Sequence, residues 1–113
     1  MSLIPHTLRA ALLANGVHAE NGRDDPFPVI KLFTPDANGT WLLARLDPHR
    51  PDLAFGLCDP GLGSPELGDV LVSELEDLRG PLGLPVEMDI LFEADRPLSV
   101  YAAEARRRGR IVT

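Results

Sequence analysis

The first apolar rhythm of the chain is helical. Leu8, Ala11 and Leu12 recur three and four residues apart, which places them on one helix face. Pro5 suits a first-turn position, where its missing N–H removes no hydrogen bond. Asn15-Gly16 is the expected stop, because both residues tolerate the left-handed conformation of a C-cap. The polar run 20–28, with Asn21-Gly22 and Asp24-Asp25-Pro26, reads as a loop.

The rhythm then shortens to a period of two. A short apolar run over 29–33 holds one charge, Lys31. Pro35-Asp36-Ala37-Asn38-Gly39 is turn chemistry, and Asn38-Gly39 suits the positive backbone angles of a tight hairpin. The return strand over 40–46 alternates, with Trp41, Leu43 and Arg45 on one face and Leu42, Ala44 and Leu46 on the other. After Asp47-Pro48, a third strand over 53–58 presents Leu53, Phe55 and Leu57 together. Asp59-Pro60-Gly61 closes it, and a fourth short strand follows over 68–72. Ser73-Glu74-Leu75-Glu76 matches a capping box, with Ser73 as cap and Glu76 reaching back, so a short helix is expected over 74–79. Gly80-Pro81 stops it. A fifth strand over 86–92 sets Val86, Met88, Ile90 and Phe92 on one face and Glu87 and Asp89 on the other. Pro97 opens a last helix carrying Leu98, Tyr101, Ala102 and Ala105.

Strands in succession, joined by tight turns, favour an antiparallel sheet. The expected class is α+β: about five short strands, an N-terminal helix, a short helix before the last strand and a C-terminal helix. No long helical crossovers separate the strands, which argues against a doubly wound nucleotide-binding fold. At 113 residues the chain is read as one domain, 1–113, with a basic tail over 106–113. Hydrophobic residues are 44% and aromatics only 5%, so aliphatic side chains must build the core. No apolar run approaches the ~20 residues of a membrane span, and residues 1–15 lack the pattern of a signal peptide. The lone Cys58 excludes an intramolecular disulfide and points to a reducing, cytoplasmic setting. A net charge of −6 argues against a nucleic-acid surface spread over the domain. It leaves that partner only Arg106, Arg107, Arg108 and Arg110.

An ordered series of short motifs adds to this reading. Lys31-Leu32-Phe33-Thr34-Pro35-Asp36 with Trp41, Leu46-Asp47-Pro48, Phe55-Gly56-Leu57 and Glu66-Leu67-Gly68 form one half. Ser73-Glu74-Leu75, Arg79-Gly80-Pro81-Leu82-Gly83-Leu84-Pro85, then Glu87, Asp89 and Phe92 form the other. Over residues 29–94 the chain resembles DUF2958, a bacterial family of unknown function. The resemblance implies a small cytoplasmic protein of a kind often carried on plasmids and other mobile elements. It implies no activity.

Candidate chemistry is sparse. Ser73 is assigned to the helix cap, Ser64 sits before Pro65 in a loop, and Ser99 opens a helix. His6, His18 and His49 have no zinc-ligand spacing. No Gly-x-Ser-x-Gly elbow and no phosphate-loop fingerprint occurs. Neither a metal nor a cofactor is expected. The carboxylates Asp36, Asp47, Asp59, Glu66, Asp69, Glu87 and Asp89 are plentiful, but Asp36 is expected to make a side-chain turn contact rather than a calcium loop. Cys58, beside Leu57 and Asp59, reads as structural. Arg79 is expected to fork between a helix-end carbonyl and Glu87 or Asp89. Ser73, Glu76, Asp36, Glu87 and Asp89 are therefore structural candidates. Trp41, Arg45 and Arg79 are the candidates for contact with a partner. The first expectation is a non-enzymatic protein that binds another macromolecule, with a protein as the expected partner. The alternatives are a small hydrolase or ligand-binding enzyme using carboxylates with Arg45 or Arg79, and a nucleic-acid accessory protein using the C-terminal arginines.

Overall fold

A computed structural model describes residues 2–20 and 24–113. The element order is α1 (His6–Glu20), β1 (Ile30–Phe33), β2 (Thr40–Asp47), β3 (Arg50–Asp59), β4 (Glu66–Leu71), α2 (Val72–Asp77), β5 (Glu87–Met88) and α3 (Leu98–Arg108). The strands form one antiparallel sheet in the order β4-β3-β2-β1-β5, so the α+β class and the helix placement are as expected. The Asn21-Gly22 part of the expected loop lies outside the described residues.

Each face of the sheet has its own core. On one side α1 and α2 pack over Ile30, Leu32, Trp41, Leu43, Leu46 and Ala54. On the other, Leu98, Tyr101, Ala102 and Ala105 of α3 pack over Leu42, Ala44 and Leu57. The i, i+3, i+4, i+7 spacing of the α3 residues is the pattern read from the sequence.

Four local expectations are corrected. Asn15-Gly16 does not end α1; the helix continues to Glu20. Gly16 is instead a close-approach residue. A Cβ there would sit 1.9 Å from the Leu46 carbonyl oxygen, so the helix backbone rests directly on β2. Asn15 reinforces the contact by donating its amide to the Ala44 carbonyl at 2.8 Å.

The second correction concerns β2. Its pairing with β3 jumps from Leu43↔Gly56 to Arg45↔Phe55, leaving Ala44 as the extra residue of a bulge. Strict alternation therefore fails. Leu46 returns to the face of Trp41 and Leu43, and Arg45 moves to the face of Phe55.

Third, the β1–β2 hairpin forms, but neither Asn38 nor Gly39 has a positive φ. The connection is longer than a two-residue turn, and Thr34 closes it. Its backbone N–H donates to the Gly39 carbonyl at 3.0 Å and its hydroxyl accepts from Gly39 N–H at 2.7 Å.

Fourth, the fifth strand shrinks to Glu87–Met88. Asp89 folds the chain into a turn, accepting from Phe92 N–H through its carbonyl and from Leu91 N–H through its carboxylate. Val86 and Met88 still pack in the α1-side core, while Ile90 and Leu91 point outward.

Gly16→Ala is expected to destabilise the protein by about 3 kcal/mol, the scale of overpacking a tight contact. Helix propensity alone would favour alanine by ~1 kcal/mol. Urea unfolding decides between the two: a midpoint at or above that of the parent would contradict the close approach.

Candidate functional site

The capping box does not form. The α2 N-cap is Leu71, without a side-chain cap bond, and Ser73 lies inside the first turn. The first turn is satisfied from across the chain. Asp52 accepts Ser73 N–H at 2.9 Å and Ser73 Oγ–H at 2.6 Å. α3 repeats the device: Asp25 accepts Ser99 N–H at 3.0 Å and Ser99 Oγ–H at 2.5 Å. Both serine hydroxyls are thereby committed to structure. Glu76, expected to reach back along its own helix, instead accepts Leu3 N–H at 2.9 Å and ties the N-terminal segment to α2.

Asp36 acts at a distance rather than within its own turn. Its Oδ2 accepts Leu82 N–H at 2.8 Å and Leu84 N–H at 3.3 Å. A Cβ on Gly80 would lie 1.7 Å from Asp36 Oδ1, so the carboxylate and the glycine occupy one close contact. Two further bonds, Gly80 N–H to Leu84 O and Gly83 N–H to Gly80 O, complete a braced 80–85 loop. A Pro81-to-Pro85 run with so many backbone restraints holds its apolar residues in fixed positions.

The expected Arg79 fork is absent. Arg79 Nη1 donates to the carbonyls of Glu76 at 3.0 Å and Leu78 at 2.9 Å, and reaches neither Glu87 nor Asp89. It therefore caps the end of α2 alone, where orphan carbonyls need donors. Asp89 faces Lys31 instead, at 3.6 Å. Glu87 is exposed and forms no ion pair among the described residues. Trp41 is 4% exposed in the α1-side core, which removes it as a partner contact. The single tryptophan is spent on packing.

Cys58 packs against the same core. Burial first, and the Asp69 charge second, push its thiol up to about 11. At neutral pH it is a protonated, small hydrophobic residue. In the C-terminal cluster, Arg107 and Arg108 both pair with Glu104, at 2.6 and 3.0 Å, and hold its carboxyl below the usual range. Arg106 and Arg110 carry no such partner among the described residues.

Two of the clefts on the described surface gather candidate polar groups. The first, of about 320 Å³, lies between the end of α1 and the β2–β3 turn. It brings Arg45, Asp47 and Asp69 together and adds Glu20 and His49, a grouping the sequence did not suggest. His49 Nε2 lies 2.9 Å from Glu20 Oε2. Asp47 Oδ1 accepts His49 N–H, and the Arg45 guanidinium stacks 4.0 Å above the Phe55 ring. The β2 bulge makes this grouping, because it turns Arg45 towards Phe55.

The second, of about 570 Å³, is a corner of the sheet that α3 leaves uncovered. Lys31, Phe33, Thr40 and Asp59 form its floor, with the 34–39 loop and residues 109–111 as walls. Sequence reading missed it, since it joins residues 80 positions apart. The one signal was Lys31, the only lysine in the chain, placed in an otherwise apolar strand.

With the fold and both clefts in view, comparison with known proteins adds one positive finding. Residues 3–112 match the family model described as a protein of unknown function, DUF2958, and the chain belongs to that family. No curated protein and no solved structure matches it.

Cys58 is expected to react with iodoacetamide at pH 8 on the order of a hundredfold more slowly than a free cysteine, the consequence of a thiol pushed up to about 11. The rate should recover in denaturant. Equal rates in the native and denatured protein would show an accessible thiolate.

Proposed function

We propose that this protein is a non-enzymatic binding module of the cytoplasm whose partner is another protein. The observation that carries the proposal is the treatment of three aliphatic side chains beside the edge strand β5. Leu82 is 80% exposed, Ile90 81% and Leu91 87%. They stand on the two turns that flank β5, and both turns are braced. Asp36 holds the backbone at Leu82, and the Asp89 carboxylate holds Leu91 N–H. Large aliphatic residues displayed on rigid turns lose little conformational entropy when covered, which favours binding. Exposed apolar residues of this kind mark contact surfaces more often than scattered single ones. Glu87 and Glu93, both exposed, flank them and favour a partner with an apolar centre and a basic rim. A role as an accessory protein of a mobile element is compatible with this reading and is part of the proposal.

A second reading rests on the Arg45 cleft, where a His–Glu pair faces an arginine and two carboxylates. Among the described residues its lining has no serine, threonine or cysteine, so a hydrolase built there would use water as the nucleophile, with His49 as base. Hydrolysis of a phosphate or carboxylic ester that is lost in His49→Asn would support it. Unchanged turnover in that variant would end it.

The first reading is tested by quantitative capture from the native host. Leu82→Asp with Leu91→Asp is expected to reduce the retained partner by about tenfold or more, as for truncating the centre of a contact. Arg106→Gln serves as control and should retain it. If the double variant keeps the same partners at the same level, the apolar turns are not the contact.

A further inference from the structure

The uncovered corner of the sheet has a polar inventory that the protein uses only in part. Register places Glu87, Phe33, Thr40 and Asp59 side by side across β5, β1, β2 and β3. Opposed residues share a face, so this rung carries its side chains on the α3 side of the sheet. The next rung, Lys31, Leu42 and Leu57, is where α3 begins to cover it.

Asp59 is the most informative residue. It is only 4% exposed, yet it lines the cleft. Its Oδ1 is taken by Gly61 N–H at 2.9 Å and Leu62 N–H at 3.1 Å. Its Oδ2 accepts no hydrogen bond among the described residues. The Thr40 hydroxyl, the Asn38 amide and the Arg110 guanidinium also line the cleft without a protein partner among the described residues. Lys31 Nζ reaches Thr113 Oγ1 at 2.7 Å and stands 3.6 Å from Asp89. Gly61, Gly63 and Gly109, all with positive φ, lie in the lining and carry no side chain into the space.

A simple anion would suit Lys31 and Arg110 but meet Asp59. A simple cation would suit Asp59 but meet Lys31 and Arg110. A ligand that satisfies the whole set is flat in one part, offers an N–H donor at one end and carries negative charge at the other. We propose that this cleft binds a nucleoside phosphate. The base stacks on Phe33, an exocyclic amino group donates to Asp59 Oδ2, and the phosphate meets Lys31 and Arg110. A free nucleotide and one unit of a single-stranded nucleic acid share this chemistry.

Calorimetric titration of the full chain tests it with four probes: AMP, purine riboside 5′-monophosphate, adenosine and oligoadenylate. AMP is expected to bind about tenfold more tightly than the purine analogue, which lacks the amino group, the scale of a hydrogen bond to a charged acceptor. Asp59→Asn keeps the Oδ1 acceptor of the turn, replaces the free oxygen with a donor, and should erase that preference. Phe33→Ala should weaken AMP about tenfold by removing the stacking surface. Lys31→Gln should weaken AMP and leave adenosine unchanged. Oligoadenylate binding far above AMP would assign the site to single strands; equal or weaker binding would assign it to free nucleotide. The proposal is overturned if AMP shows no saturable binding at millimolar concentration. It is equally overturned if AMP and the purine analogue bind alike, or if Phe33→Ala, with an unchanged melting midpoint, binds AMP as the parent does.

Discussion

The helix α1 lies on β2 at a separation that only a glycine permits. Where Gly16 meets the Leu46 carbonyl, there is no room for a Cβ. Asn15 takes the carbonyl of Ala44, the residue that the bulge removes from regular pairing. A bulged residue leaves the ladder unsatisfied, and a buried carbonyl without a donor is costly. The helix supplies the donor. Much else depends on this contact. The bulge returns Leu46 to the α1-side core, turns Arg45 onto Phe55, and sets Gly56 against the Leu42 carbonyl, where a Cβ would lie 2.0 Å away. Two cores of different composition on one sheet, and the cleft around Arg45, all follow from a single inserted residue and the helix that accommodates it.

A second theme is the use of aspartate as a long-range brace. Asp25, Asp36 and Asp52 each accept two hydrogen bonds from residues at least 21 positions away, and Asp59 accepts two within its own turn. Charge-assisted bonds of this type are stronger than neutral ones. The chain is dense in Pro and Gly and poor in aromatics, so its loops cannot be held by large apolar anchors. Short carboxylates take that role, and part of the acidic excess serves the scaffold. The same habit makes the 80–85 loop rigid and leaves Leu82 exposed.

The larger pattern was legible in the sequence because period and punctuation are local signals. The α3 stripe, the strand succession and the turns at Asp47-Pro48 and Asp59-Pro60 depend on neighbours in the chain. The failures share a cause. Asn15-Gly16 has the composition of a C-cap, and only β2 shows why the glycine is there. Ser73-x-x-Glu76 has the spacing of a capping box, but Asp52 competes for the serine and Leu3 for the glutamate. Alternation along 40–46 was broken by a bulge that no residue of β2 announces by itself. The fork expected from Arg79 to Glu87 or Asp89 rests on proximity in sequence alone, and the chain turns those carboxylates elsewhere. Both clefts assemble residues from four or more segments, and so escape any reading by motif.

The capping of α2 and α3 by distant aspartates bears on how the chain acquires its structure. A helix of six residues has almost no stability by itself, since nucleation costs more than one turn returns. α2 is completed only when β3 delivers Asp52, 21 positions earlier in the chain. α3 depends on Asp25, 74 positions earlier. Neither helix is capped by the residues that precede it. Contacts of such span close large loops before they stabilise anything, which is the mark of slow, highly cooperative folding. In this fold the last helix is finished by the segment just after the first, and the two ends of the chain become ordered together.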